Sequence, residues 1–279
     1  KSSPWAIVAA MTTTTKQNPP GHAPRENPKT VPFGDENIPI GEKVARVRAV
    51  FDSVAPKYDL MNDITSLGAH RIWKAAAIDR LMPRPAMRVV DVAGGTADMA
   101  MRIAERVGTD AMSQAGGHIS VMDINPAMME IGQGRVKQAQ MADTIDFTCA
   151  NGEALPLDDS SVDAYIIAFG LRNITNPEQA LAEARRVLAP GGHFLCLEFS
   201  HPKWPLLKPL YDGYSDHIMP RIGGWVAGDD TSYRYLAESI RRFPNQETLK
   251  AMIEHAGLEQ VTVTNLTGGI AAIHSAWRL

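Results

Sequence analysis

Cysteine is almost missing from this chain: Cys149 and Cys196 are the only two in 279 residues. Both stand in apolar, strand-like runs, which predicts reduced core thiols in a cytosolic protein and excludes a disulfide-stapled fold. No ligand-spaced cluster surrounds them, so no metal is expected. Also missing is any run near the ~20 apolar residues that a membrane span needs; the chain is expected to touch a bilayer at most. An excess of one charge is absent too, with 28 Lys and Arg against 31 Asp and Glu, interspersed, for a net −3. Such a surface has no footprint for a polyanion, and nucleic acid is not an expected partner. What is plentiful is apolar residue, at 44%, enough in a chain of this length to bury a sizeable core.

Length alone suggests roughly two domains at ~150 residues each, but no linker interrupts the sequence after Met82. The start reads differently. A short apolar patch, Trp5-Ala6-Ile7-Val8-Ala9-Ala10, precedes Met11 and a Thr/Pro/Asn-rich stretch to Pro39. The patch is shorter than a signal peptide needs; leader residues before a native start at Met11 fit it better. Residues 1–40 are therefore expected to be leader and loosely packed segment.

From 41 to 82 the apolar residues recur at helical spacing (Val44, Val47, Val50, Phe51, Val54, then Leu67, Ile72, Ala76, Leu81), interrupted at Pro56 and Asn62-Asp63, which predicts two or more helices. The period then changes. Strands are expected at 87–92, 118–123, 145–149, 162–168 and 193–197, with helices at 97–107, after Pro126, at 177–188 and at 246–255. Strand alternating with helix predicts a doubly wound parallel sheet. Two last strands, 258–266 and 270–278, flank Thr267-Gly268-Gly269 and read as a terminal antiparallel hairpin.

Open α/β sheets bind ligands beyond the carboxyl ends of their strands, and three such ends carry polar signals. The first is Asp91-Val92-Ala93-Gly94-Gly95-Thr96-Ala97-Asp98. Glycines there let backbone approach a ligand, and Thr96 is placed to hydrogen-bond at the following helix start. Gly94 and Gly95 are adjacent and no third glycine follows, so the dinucleotide fingerprint is absent, as is a P-loop lysine. The loop suits a ligand with an amino-acid end and no phosphate. Asp123 ends the second strand, where a carboxylate accepts both ribose hydroxyls. Asn151-Gly152 follows the third, where an amide could read an adenine edge. Each signal alone has an ordinary structural reading as a turn or cap. Together they favour S-adenosylmethionine over a dinucleotide.

Two long motifs carry a resemblance: Tyr58-Asp59-Leu60-Met61-Asn62-Asp63-Ile64-Thr65-Ser66, continuing through His70 to Trp73, and Arg186-Val187-Leu188-Ala189-Pro190-Gly191-Gly192, continuing through Leu197-Glu198-Phe199-Ser200. With Phe169-Gly170-Leu171-Arg172-Asn173 and the run from Ser232 to Ile240, the chain from about Phe33 onward resembles the ubiquinone/menaquinone biosynthesis C-methyltransferases. The resemblance implies a Rossmann-like class I methyltransferase fold, α/β, with a mostly parallel seven-stranded sheet, a C-terminal antiparallel hairpin and an N-terminal helical cap. The domain would span 41–279, with the cap at 41–82 and a substrate-side insertion at 200–243. Gly94, Gly95, Thr96, Asp123, Asn151, Gly152 and the Ala168 position would contact the cofactor. Three departures stand out: Ala97 where glycine is usual, Ala168 where a serine is often found, and Ala189 where lysine is common. Ala97 is expected to need an ordinary backbone conformation.

The implied reaction is C-methylation of a prenylated benzoquinol or naphthoquinol ring, without a metal. Arg172 is expected to face the cleft and stabilise the phenolate or orient a proton-accepting water, with Asn173 fixing it; its alternative is a salt bridge capping the sheet. Tyr58 is the candidate for a substrate hydroxyl contact. His70 and Trp73 share a helix face and are as readily packing as chemistry. The insertion is apolar (Trp204, Leu206, Ile218, Trp225 among others), which suits a lipid-tailed substrate, peripheral contact with the inner membrane, or equally a buried helix. A quinone-biosynthesis complex or homo-oligomer is compatible with this. Two competing readings are a nicotinamide oxidoreductase and a non-catalytic scaffold.

Overall fold

The computed structural model describes residues 29–55, 58–204, 209, 211, 213, 214 and 230–279. Short runs of β-branched and apolar residues form the inner strands: β3 (Arg88–Val92), β4 (His118–Asp123), β5 (Ile145–Cys149), β6 (Val162–Ala168) and β7 (Leu188–Phe199). With β8 (Glu259–Leu266) and β9 (Ala271–Arg278) they make one seven-stranded sheet of order β5-β4-β3-β6-β7-β9-β8. The first five are parallel, while β9 runs antiparallel between β7 and β8. The chain winds outward from β3 to β5 and then crosses back to β6, so the strand order reverses beside β3, where such sheets bind ligands.

Both faces of the sheet are covered, which is why these strands read as continuous apolar runs. Side chains alternate between two cores. Val89, Ile166, Leu195 and Leu197 meet α3 (Ala69–Leu81), α4 (Asp98–Val107) and α8 (Asp230–Arg242). Val90, Tyr165, Ile167 and Phe194 meet α7 (Pro177–Val187) and α9 (Gln246–His255). The expected cap is α1 (Ile40–Val54), α2 (Tyr58–Ser66) and α3; α5 (Thr109–Gln114) and α6 (Pro126–Gln138) complete the helices among the described residues. Asn125, Asn176 and Asn245 cap α6, α7 and α9 through their side-chain oxygens.

The differences from the sequence-based expectation have tertiary causes. Residues expected to be loosely packed up to Pro39 include a hairpin, β1 (Thr30–Phe33) with β2 (Glu36–Pro39). It is held from outside: Phe33 stacks on Tyr235 at 4.5 Å between centroids, and Arg242 donates to the carbonyls of Gly34 and Glu36. The strand expected at 193–197 runs from Leu188, because pairing with β6 and β9 extends it past a bulge at the Pro-Gly-Gly segment. The insertion keeps α8, whose Tyr233, Tyr235, Leu236 and Ile240 are buried, so at least that part is core helix. Trp225 and its apolar neighbours lie outside the described residues.

Ala97 is the sharpest correction. It does not have an ordinary conformation: φ is 63° and ψ 22°, the left-handed region, so α4 starts one residue later than expected. Nor does Thr96 cap α4, and the N-cap residue Ala97 has no polar side chain to do so. Asp91 instead reaches across from β3, its Oδ2 accepting from the Ala100 N–H at 3.2 Å. A left-handed alanine carries roughly 1–2 kcal/mol of steric cost. Replacing it with glycine removes that cost but also a buried methyl worth ~0.8 kcal/mol. Ala97→Gly is therefore expected to change unfolding free energy by less than about 1 kcal/mol. Ala104→Gly, in the interior of α4 and equally buried, should cost roughly 2 kcal/mol by denaturant titration. Equal losses for both would contradict the strain reading.

Candidate active site

Beyond the carboxyl ends of β3, β4 and β6 lies a cavity of about 1050 Å³, counting its open mouth. Backbone shape makes it. Ala93 (φ 55°) and Phe169 (φ 57°) are left-handed residues that turn the chain sharply away from strand ends, the kind of strain that collects at functional sites. A Cβ on Gly94 would stand 2.8 Å from the Asp91 carboxyl and 2.9 Å from Val121, so only glycine lets this loop pass. The cap closes the other side: Val47 and Phe51 of α1 line the cavity, and Asp52 accepts from the Asn125 amide at 2.9 Å.

All seven expected cofactor residues, Gly94, Gly95, Thr96, Asp123, Asn151, Gly152 and Ala168, line this one cavity. Asp123 accepts from the N–H of Gly95 at 2.9 Å through one oxygen and from that of Asn125 at 2.7 Å through the other. Burial pushes its carboxyl up to about 6 despite those donors, and each oxygen retains a lone pair for a hydroxyl. Asn151 accepts from the Glu153 N–H at 3.0 Å, which orients its amide. Glu153 in turn accepts from the N–H groups of Thr175 and Asn176, tying the β5 and β6 ends together.

The expected catalytic residues separate. Asn173 lines the cavity and accepts from the Tyr235 hydroxyl at 3.1 Å. Arg172 does not line it, contrary to the expectation that it faces the cleft. Its Nη1 lies 2.8 Å from Glu198 Oε1, with side chains only 5% and 2% exposed, and its guanidinium stacks on Phe199. The physical reason is charge: burial drives the Glu198 carboxyl upward, and the arginine is what offsets it. Arg172 Nε remains buried with no partner among the described residues. Tyr58 begins α2, but its side chain lies outside the described residues. His70 pairs with Asp63 at 2.8 Å, and Trp73 packs on Phe169 and Phe199 while donating to Thr267 Oγ1; both are structural.

Two groups escaped the sequence reading. Asp91, noted there only as a motif letter, is fully buried in the cavity wall. One oxygen has no partner, and burial raises its carboxyl to about 7. Lys74 also reaches the wall from α3, 2.7 Å from Asp98. A signal existed: Lys74 sits on the face made by His70, Trp73, Ala77, Ile78 and Leu81, where a cation is out of pattern.

The cavity thus presents carboxylates where a dinucleotide would put pyrophosphate, and their repulsion opposes that ligand. The unpartnered Asp91 oxygen wants a donor such as an ammonium, and Asp123 suits a ribose diol. These residues fit S-adenosylmethionine, and the nicotinamide reading receives no support. Sheet order, reversed last strand and site together define a class I S-adenosylmethionine-dependent methyltransferase. Among solved structures the chain is similar to such a methyltransferase from Aquifex aeolicus (TM-score 0.54, 16% identity, covering 78% of this chain and 98% of that one). A Thermotoga maritima methyltransferase described as a possible histamine N-methyltransferase is also similar (TM-score 0.56, 17% identity, 83% and 99%). At such identities the likeness is one of fold.

The model of the ubiE/COQ5 methyltransferase family matches residues 40–278, and the chain belongs to that family. It is 51% identical to the ubiquinone/menaquinone biosynthesis C-methyltransferase UbiE of Acidiphilium cryptum, covering 90% of this chain and 98% of the relative. It is 52% identical to the protein of the same name from Methylobacterium nodulans, covering 88% and 96%. The chain is accordingly an enzyme, a methyltransferase with S-adenosylmethionine as cofactor.

Asp91 yields a prediction in which stability and binding part company. Its folded-state proton affinity is raised, so the stability it contributes is full below its ordinary range near 4 and is lost as pH rises through about 7. Asp91→Asn should raise the melting temperature of the cofactor-free protein by several degrees at pH 8 and hardly at pH 4. Affinity for S-adenosylhomocysteine by calorimetry at pH 8 should fall at least about tenfold. A variant less stable at pH 8 would contradict the burial argument.

Proposed function

We propose that this enzyme transfers a methyl group to a ring carbon of a prenylated benzoquinol or naphthoquinol in ubiquinone or menaquinone biosynthesis. The observation that carries this is about 50% identity to quinone-biosynthesis C-methyltransferases over nearly their whole length. S-adenosylmethionine, when bound, supplies an electrophilic methyl group. A quinol carbon becomes a sufficient nucleophile only when a neighbouring phenol loses its proton, so the protein must hold the ring in line and favour the phenolate. Placement alone supplies ~7–11 kcal/mol in well-oriented reactions.

In this reading Asn173 touches the substrate from the cavity wall, its amide fixed by Tyr235. Arg172 acts from behind as a positive charge on the 171–173 turn. Its buried, unpartnered Nε is the donor that would hold a proton-accepting water. Tyr58 contacts a substrate hydroxyl. Arg172→Ala would leave Glu198 charged and unpaired, at about 3–5 kcal/mol, so the informative variant is Arg172→Met with Glu198→Gln. Incubating the native enzyme with S-adenosylmethionine and reduced demethyl-quinols of both ring types should give products one methyl heavier, with the mark on a ring carbon. The paired variant should lose at least about a hundredfold in kcat while cofactor Kd stays within about threefold. Retained turnover would end Arg172's part; no product from the native enzyme would end the quinol reading.

The lipid tail suggests where the enzyme works. Among the described residues no helix is long and apolar enough to cross a membrane. Leu67, Ile72 and Trp204 are 79%, 72% and 64% exposed. Trp204 is close to α3 in space, since Lys203 donates to the Gly268 carbonyl one residue from the Trp73 partner Thr267. We read this face as a peripheral contact with the cytoplasmic side of the inner membrane. Ile72→Asp with Trp204→Asp should abolish sedimentation with anionic vesicles while leaving the melting temperature unchanged; undiminished sedimentation would oppose it.

A further inference from the structure

Three cations gather around one carboxylate at the edge of the cofactor cavity. Asp98, at the start of α4, is contacted by three cations: Lys74 Nζ at 2.7 Å, Arg102 Nε at 3.1 Å and Arg135 Nη2 at 3.9 Å. Burial raises the Asp98 carboxyl, but Lys74 and Arg102 overcome that and hold it below the ordinary range. One of these cations would serve to neutralise it. Lys74 is the buried one, its side chain 5% exposed against 32% for each arginine, and Lys74 and Asp98 both line the cavity. Holding an ammonium out of water is costly unless close partners compensate. An arginine pair on the surface of α4 and α6 would have satisfied Asp98 without that burial.

Two further observations bear on what binds beside it. The N-cap residue of α4, Ala97, offers no side-chain cap, and in the first turn Asp91 accepts only from the Ala100 N–H. Asp91, the nearest other carboxylate in the wall, is nine-tenths buried and more, with an oxygen lacking any partner. A site with a buried ammonium at its wall beside an unfilled carboxylate oxygen is complementary to a zwitterion rather than to a simple cation or anion.

We propose that Lys74 binds the carboxylate of the cofactor's amino-acid end, so that a helix of the cap, and not only the sheet loops, selects an intact amino-acid tail. The inference rests on the cofactor assignment and not on the identity of the methyl acceptor. Lys74 donates one ammonium proton to Asp98 and has two more for the incoming carboxylate. The charge pair joins α3 to the α4 terminus through the ligand, so cofactor binding should tighten the cap against the sheet.

Removing the ligand's carboxylate tests this without turnover. Calorimetry of the native protein should show S-adenosylmethionine binding roughly ten- to a hundredfold tighter than its decarboxylated form, the range of a hydrogen bond between charged groups. In Lys74→Met the preference should collapse to within about threefold, chiefly by weaker binding of the intact cofactor. In Lys74→Arg much of it should return. If Lys74→Met shows no cooperative unfolding transition, Lys74→Gln, which keeps a donor beside Asp98, is titrated in its place with the same expectation. Equal affinity of the native protein for the two compounds would overturn the proposal. So would a folded variant that weakens both by the same factor, since that marks Lys74 as a support for Asp98 alone.

Discussion

Two carboxylates kept out of water at neighbouring strand ends are the constraint around which this protein is arranged. Asp91 stands one residue before the end of β3 and Asp123 ends β4, and burial drives both carboxyls upward, to about 7 and about 6. Folding them there costs stability, and backbone N–H groups of Gly95, Ala100 and Asn125 offset part of it. The first two of these donors are brought in by a chain that turns sharply through left-handed Ala93, Gly95 and Ala97. Acceptors, turns and glycine spacing are thus one device: the loop is shaped to bring N–H groups to the carboxylates, and the carboxylates wait for donors from a ligand.

The cap depends on the same end of the sheet. α1 reaches Asn125 through Asp52, and Lys43 donates to the Ile174 carbonyl. α3 reaches α4 through Lys74 and Asp98. Helices that read in the sequence as an N-terminal cap therefore supply part of the cavity wall. Behind the opposite wall, the Arg172–Glu198 pair and the Tyr235–Asn173 bond fix the turn after β6. β1 stacks on that tyrosine through Phe33, so the first strand of the chain bears on the site although no residue of it lines the cavity.

Family membership and site geometry reinforce each other through different physics. Identity near 50% over nearly the full length of the relatives speaks for the reaction class. The cavity speaks for the cofactor by charge, because buried acceptors favour a diol and an ammonium over a pyrophosphate. Neither depends on the other, and neither supports the reading of a dinucleotide enzyme.

That seven named residues would line one cavity was legible in the sequence because they stand at or after strand ends that the apolar runs mark, and an α/β sheet gathers such ends at one edge. The doubly wound order and closing hairpin followed from the same alternation. Ala97 was misread because a left-handed alanine violates local preference and is held by its surroundings. β1 and β2 were missed because four-residue strands with polar alternate positions are made stable by Phe33 on Tyr235 and by Arg242, over two hundred residues away in sequence. Arg172 was aimed at the cleft because a motif shows a residue's position but not its partner; only packing brought buried Glu198 alongside it. Periodicity and strand-end chemistry, which are local, determined the fold class and where the cavity at the strand ends would lie. The neighbours of each charge are long-range, and the tertiary structure alone decided which charges face the ligand and which face each other.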